Sequence, residues 1–233
     1  MRCCATEAAQ APIDMGTTLV AIKYDKGVVV AADSRTSVSG YVSNRFAHKI
    51  SPVSENCVLC RSGSAADTQQ IAWITSLELL DRQYRHGMKP TVSQVAHWVR
   101  SVVYESSGSV SLLVAGYDEG TQAGGIWSVS TSGALLEEEV YAVSGSGSTY
   151  IIGLLDHQLL DRPEGLNEDD AIAFCKKAIE LAMSRDGSSG GLVRIVVLND
   201  KGRREITVYP SSDTRHGTTE SIELVGFAPT SKD

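Results

Sequence analysis

"GTTLVAIKYDKGVVVAADSRTS", residues 16–37, decides the fold. Two runs rich in β-branched residues, TTLVAIKY and VVVAADS, flank the turn residues DKG. That pattern is a β-hairpin. The stretch also poses a question. Gly16-Thr17-Thr18 sets a small residue and two β-hydroxyl residues at the mouth of the first strand. Strand propensity alone accounts for Thr18. Thr17 needs a second explanation.

Outward from the hairpin, strands alternate with paired helices. Residues 39–53 (SGYVSNRFAHKISPV) form an irregular hairpin, and NCVLCRSG is a short strand ending at Gly63. A helix follows, capped by Ser64 with Asp67 three residues on, and runs to Gly87. Pro90 separates it from a second helix, opened by Thr91 and running to about Glu105. SVSLLVAGYD and AGGIWSVST are strands, and GALLEEEVYAVSGSG (133–147) continues their sheet. Two more helices are predicted, STYIIGLLDHQLL (148–160) and NEDDAIAFCKKAIELAMSR, the latter capped by Asn167. The turn DGSSGG (186–191) leads to strands LVRIVVLN and REITVYP, and an irregular polar tail is expected from Pro210. Hairpin connections imply mostly antiparallel sheets. Paired helices can cover two stacked sheets from outside. The expected class is α+β: a four-layer α-β-β-α sandwich of two mostly antiparallel sheets in one domain.

Bulk properties narrow the functions. The chain has 233 residues, 42% hydrophobic and 21% charged, and a formal net charge of −7. Without a long basic run, binding to nucleic acid or to an anionic membrane is disfavoured. No apolar stretch approaches the ~20 residues of a membrane span. Residues 1–16 lack the apolar core of a secretory signal, and read either as a disordered tail or as a pro-segment. Five cysteines without framework spacing fit reduced thiols in the cytosol or nucleus. Cys57 and Cys60, three apart in a strand, point to opposite faces and do not converge on a metal. His97 is expected to pack on a helix face. GSGS (145–148) and DGSSGG lack the register of a phosphate-binding loop. No metal or organic cofactor is implied.

Chemistry-bearing residues fall instead at strand ends and Gly-bounded turns: Thr17, Asp33, Lys49, Gly63, Ser146, Asp186 and Ser189. Their surrounding motifs are GTTLVAIKYDKGVVVAADSRTS, HKI, CRSGSAADTQ, VSGSGSTY and SRDGSSGG, in that order. This set resembles the β-type subunits of the 20S proteasome, which are N-terminal-nucleophile hydrolases. The likeness runs from Thr17 to about Tyr209 and is greatest to the catalytic β1 group, whose activity is called caspase-like. The resemblance implies a pro-segment over residues 1–16, a catalytic domain over 17–209 and a C-terminal tail over 210–233.

The resemblance also implies roles. Cleavage after Gly16 would make Thr17 the N-terminus. A threonine hydroxyl is a weak nucleophile that needs a base, and the freed α-amine, with a reference pKa of about 7.7–8.0, supplies one on the same residue. Lys49 matches the lysine whose charge disfavours protonation of that amine, and Asp33 the carboxylate that holds the lysine. Outside this context the two would be a plain ion pair. Gly63 matches the oxyanion-hole position, also readable as a helix-entry glycine. Ser146, Asp186 and Ser189 match residues that orient the amine, although turn chemistry alone would satisfy them. For self-processing, small Gly16 would bring its carbonyl against Thr17 Oγ; an N-to-O acyl shift and hydrolysis would release the leader. The amine does not yet exist at that step, so the base must be another group, such as a water.

Arg61 matches the base of the pocket that takes the residue before the scissile bond. A guanidinium there favours acidic side chains; the alternative is an Arg paired with an internal carboxylate. Thr36, Ala47, Ser51, Ala65 and Gln69 match other pocket positions. Backbone groups at Ser37, Gly63 and Ala65 would pair with an extended peptide. The expected activity is a threonine endopeptidase cutting after acidic residues, in protein degradation in cytoplasm and nucleus. The expected partners are other β-type and α-type subunits in stacked heptameric rings, with unfolded polypeptides as substrates. Two alternatives are a non-catalytic ring subunit of the same fold and a different N-terminal-nucleophile hydrolase. Gly16-Thr17 with Asp33 and Lys49 weighs against the first, and CRSGSAADTQ against the second.

Overall fold

The computed structural model describes residues 16–38, 40–87, 89–106, 108–160, 165–209 and 222–225. The leader before Gly16 and most of the tail lie outside these residues. The first hairpin forms as the sequence predicts. Strand β1 (Leu19–Tyr24) pairs antiparallel with β2 (Gly27–Ala32), with Tyr24 opposite Gly27 across a two-residue turn. Both strands are apolar without alternation because both of their faces are buried. Val20, Ile22, Val29 and Ala31 face a helical layer, while Leu19, Ala21, Val28 and Val30 face a second sheet. The resulting four layers meet the α-β-β-α expectation.

The second sheet is built from β5 (Ile50–Pro52), β6 (Cys57–Gly63), β7 (Val110–Asp118), β8 (Ala123–Val129) and β9 (Leu135–Glu137), in that order and antiparallel throughout. A separate hairpin pairs β3 (Thr36–Val38) with β4 (Tyr41–Asn44), so it begins before the expected stretch 39–53, and the end of that stretch, β5, joins the second sheet instead. Helices α1 (Ala65–His86) and α2 (Val92–Glu105) cover the outer face of the second sheet. Their starts follow the sequence: Ser64 Oγ accepts from Asp67 N, and Thr91 forms a full capping box with Gln94. Gly87 ends α1 in the left-handed conformation. Cys57 packs under these helices while Cys60 faces the first sheet, so the pair diverges as predicted. His97 packs edge-on against Trp127.

Three further expectations are corrected. Residues 133–147 do not continue one sheet. β9 stays on β8, whereas β10 (Tyr141–Ser144) crosses to the first sheet and pairs with β1. The acidic run 137–139 ends one ladder, and the alternating Tyr141-Ala142-Val143-Ser144 begins another. Residues 148–160 are not one helix. A 3₁₀ turn over 146–150 leads to the single-turn helix α3 (Ile152–Leu155) and then a π turn over 156–160. Ile151 leaves helical geometry at φ −121°, and Gly153 follows. Finally, part of the expected irregular tail is a strand. β11 (Val193–Asn199) and β12 (Gly202–Val208) form a hairpin, and β13 (Ile222–Val225) pairs with β12 at the sheet edge. An unpaired edge offers free backbone groups to any nearby extended segment. The first sheet thus runs β10-β1-β2-β11-β12-β13, covered by α4 (Glu168–Arg185), whose Asn167 cap accepts from Asp170 N.

Candidate active site

Strand register brings the distant motifs together. β1 is antiparallel to both β2 and β10, so Leu19 lies opposite Ala32 and Ser144. The start of β1 and the ends of β2 and β10 therefore share one edge, placing Thr17, Asp33 and Ser146 side by side. β11 lies on β2 with Arg194 opposite Ala32, which brings the 186–191 turn to the same edge. In the second sheet Ile50 lies opposite Cys60, and Arg61 N donates to Lys49 O at 2.8 Å. Lys49, Arg61 and Gly63 thus arrive from the other side.

Lys49 joins the two halves. Its Nζ lies 2.7 Å from Asp33 Oδ1 and 2.8 Å from the carbonyl oxygen of Gly16. Asp33 is wholly buried and accepts three backbone N–H groups besides: Thr18 on Oδ1, and Arg35 and Gly190 on Oδ2. A buried carboxylate needs such a full set of donors. Burial pulls the Lys49 pKa below the ordinary lysine value, against the opposing pull of Asp33.

A second network stands on the opposite side of Thr17. Thr17 N donates to Ser146 Oγ at 3.2 Å, and Ser146 Oγ donates to Asp186 Oδ2 at 2.7 Å. Ser189 Oγ donates to the same oxygen at 2.6 Å, and Ser188 N to Asp186 Oδ1 at 3.0 Å. Burial pushes the Asp186 pKa up, but the hydrogen bonds from Ser189, Ser146 and Ser188 and the Lys49 charge outweigh it, leaving the carboxyl below its ordinary value. Asp186 reaches this point as the C-cap of α4.

Glycines carry the close approaches. Gly63 has φ +98°, and a Cβ there would lie 2.3 Å from Ser109 O, so no other residue fits this strand end. A Cβ on Gly16 would lie 1.9 Å from Ser188 Cβ and 2.5 Å from Ser188 O. The need for glycine at 16 thus comes from Ser188, which the sequence reasoning did not single out.

Arg61 is clamped. Its Nε donates to Ser51 Oγ at 2.8 Å, Nη2 to His48 O at 2.5 Å and Nη1 to Thr68 Oγ1 at 3.4 Å. All three acceptors are neutral. Among the described residues no carboxylate forms a salt bridge with Arg61. Of the other expected pocket residues, Ser37 is buried in β3, Thr36, Ala47 and Ala65 are half-buried, and Gln69 is exposed on α1. None of these gives Arg61 a hydrogen bond among the described residues. Thr68, one turn into α1, does, and sequence reasoning missed it. A side chain four residues beyond a helix cap on the cap's own face was the available signal.

Comparison with known proteins agrees with this architecture. A family model described as "Proteasome subunit" matches residues 13–198. A protein named "Probable proteasome subunit beta type-1" from Schizosaccharomyces pombe is 41% identical over 192 residues, covering 82% of this chain and 83% of its own. "Proteasome subunit beta type-6" from Arabidopsis thaliana is 38% identical over 194 residues, covering 82% and 81%. "Proteasome subunit beta type-1" from Saccharomyces cerevisiae is 35% identical over 202 residues, covering 85% and 90%. With family model, sequence relatives and layered fold in agreement, the chain belongs to the proteasome subunit family as a β-type member.

Proposed function

We propose that this chain is a threonine endopeptidase subunit of the 20S proteasome that releases its own N-terminal Thr17 and then cleaves polypeptides after acidic residues. Membership in the family implies assembly with other proteasome subunits; the reading adds stacked heptameric rings of β-type and α-type subunits, in cytoplasm and nucleus.

The observation that carries the proposal is the Lys49 ammonium, 2.8 Å from the Gly16 carbonyl oxygen and braced by Asp33. An ammonium there withdraws electron density from the carbonyl that Thr17 Oγ would attack. Attack forms the Oγ–C bond, the C–N bond to Thr17 breaks, and the nitrogen takes the hydroxyl's proton. Water then hydrolyses the ester, giving the leader a carboxylate and Thr17 a free amine. That amine inherits the Ser146 contact already made by the amide nitrogen. In each later turnover it accepts the Thr17 hydroxyl proton as Oγ attacks a peptide carbonyl. The Gly63 N–H would stabilise the oxyanion, a role worth about 3–4 kcal/mol of barrier in comparable sites. Afterwards the protonated amine returns its proton to the leaving nitrogen, and water releases the acyl group.

Acidic preference follows from Arg61. Its guanidinium is held by neutral acceptors, so its charge remains available to a substrate carboxylate.

In an assembled particle whose other active sites are blocked, wild-type chain should lose residues 1–16 by intact mass. It should also cut peptides bearing Glu or Asp before the scissile bond faster than apolar ones. Thr17→Ala should retain its leader and cut neither. Trimming after Gly16 in that variant, or an unchanged cleavage rate, overturns the proposal.

A further inference from the structure

We propose that Thr18 is a positioning residue of the reaction, whose hydroxyl donates into the Ser189–Asp186–Ser146 network and holds Ser189, and through it the Asp186 carboxylate, in place. This rests on the function proposed above and deepens it.

Strand propensity leaves Thr18 with nothing to do beyond filling β-space. Its surroundings say otherwise. Thr18 is wholly buried, and its Oγ1 lies 2.8 Å from Ser189 Oγ. The direction of that bond follows from counting protons. Asp186, held below its ordinary pKa, is a carboxylate and can only accept. Ser189 has one hydroxyl proton, and at 2.6 Å it goes to Asp186 Oδ2. Thr18 Oγ1 must therefore donate to Ser189. Ser146 gives its proton to the same carboxylate oxygen and so accepts from Thr17 N. Two hydroxyl chains converge on Oδ2, one from Thr18 through Ser189, the other from Thr17 through Ser146. The carboxylate's position decides where Ser146 stands, and Ser146 aligns the nitrogen that acts as base.

The backbone of Thr18 ties the same residue to the other half of the site. Thr18 N donates to Asp33 Oδ1, the oxygen that also holds Lys49. Gly147 closes over the hydroxyl: a Cβ there would lie 1.9 Å from Thr18 Oγ1. Space for the Thr18 hydroxyl is therefore built in by a residue of the Ser146 turn itself.

The test compares Thr18→Val, which keeps the shape and removes the donor, with Thr18→Ser, which keeps the donor. Each is assembled into the particle with the other active sites blocked. Thr18→Val should enter the particle normally and lower kcat on a Glu-site peptide about tenfold, the scale of one buried hydrogen bond, with KM unchanged. Thr18→Ser should restore kcat to within about twofold of wild type, the residue of a lost methyl contact. A Thr18→Val enzyme with wild-type kcat overturns the inference. So do equal losses in both variants, a rise in KM alone, or failure of Thr18→Val to assemble, each of which would assign Thr18 to packing. Wild-type and Thr17→Ala particles run alongside. If Thr17→Ala is as active as wild type, the underlying function fails; if only the Thr18 pattern fails, the function stands without this role for Thr18.

Discussion

Gly16 shows how one residue can be required for a reason that its own sequence neighbourhood conceals. The sequence suggested that a small residue lets the scissile carbonyl approach Thr17 Oγ. In the structure the steric wall is Ser188, whose backbone and Cβ fill the space where a side chain at 16 would go. Ser188 is itself fixed, because its N–H is bonded to Asp186 Oδ1. Gly16→Ala must therefore move the carbonyl rather than the wall, and the displaced carbonyl loses its 2.8 Å contact with Lys49. Leader release in Gly16→Ala should slow by at least about tenfold, the equivalent of one charge-assisted hydrogen bond. Time-resolved intact mass during assembly measures it. Subunits that have shed residues 1–16 no longer carry the substitution, so the peptide turnover of each processed subunit should equal that of wild type; a lower value per processed subunit would place the cause outside leader release. Asp33, Lys49 and Gly63 were legible because each sits in a motif whose order is specific. Thr18, Thr68 and Ser188 were not, because a threonine in a strand, a threonine in a helix and a serine in a Gly-rich turn each have an ordinary local explanation.

Helix α4 connects the far end of the molecule to the site. Its C-cap is Asp186; its N-terminal residue, Glu168, is anchored to both hairpin ends of the first sheet. Tyr24 OH donates to Glu168 Oε2 at 2.9 Å, Asn199 Nδ2 donates to the same oxygen at 3.0 Å, and Arg204 pairs with Oε1. Burial first, and Glu168 second among the raising influences, push the Tyr24 pKa up to about 12. Folded Tyr24 therefore keeps its proton above pH 10, where the unfolded chain loses it, and stability should fall as pH rises from about 10 to about 12. Glu168→Gln should bring the Tyr24 pKa down while leaving it above the ordinary value, since burial persists. It should also cost about 1–2 kcal/mol near neutral pH through the weakened hydrogen bonds. Urea denaturation and an alkaline titration of labelled tyrosine measure the two effects, and a Tyr24 pKa unmoved by the substitution would show that Glu168 has no part in it. Legibility at this level depended on caps. α1, α2 and α4 carry Ser64, Thr91 and Asn167, so their starts could be read directly. Residues 146–160 lack a side-chain cap on either helical turn that opens them, and Tyr150, Ile152 and Leu160 are exposed. Apolar residues that do not mark a buried face gave a false helical period.

The first and second sheets meet across a layer of Leu19, Val28, Val30, Val58, Leu113, Ala115 and Ile126, and the candidate site straddles that layer. Thr17, Asp33, Ser146, Asp186 and Ser189 come from the first sheet and its connections, whereas Lys49, Arg61 and Gly63 come from the second. The uninterrupted apolar runs made the two-sided burial legible, but which strand ends would face one another required the register. Arg61 and its clamp of Ser51, His48 and Thr68 lie within the second half, so the proposed acidic preference should not depend on how the sheets are aligned. The Lys49–Asp33 and Lys49–Gly16 contacts do depend on it. Leu113→Ala in the inter-sheet layer should therefore cost about 2–5 kcal/mol, lower kcat and leave the ratio of acidic to apolar cleavage intact. Leu79→Ala, under α1 on the outer face of the second sheet, removes the same atoms and should destabilise on the same scale while leaving kcat unchanged. Denaturation midpoints of the isolated chains and peptide kinetics of the assembled particles separate the two. Equal kcat losses in both variants would mean that general loosening, rather than alignment across the inter-sheet layer, governs the site. A changed acidic preference in Leu113→Ala would mean that the Arg61 pocket also spans both sheets.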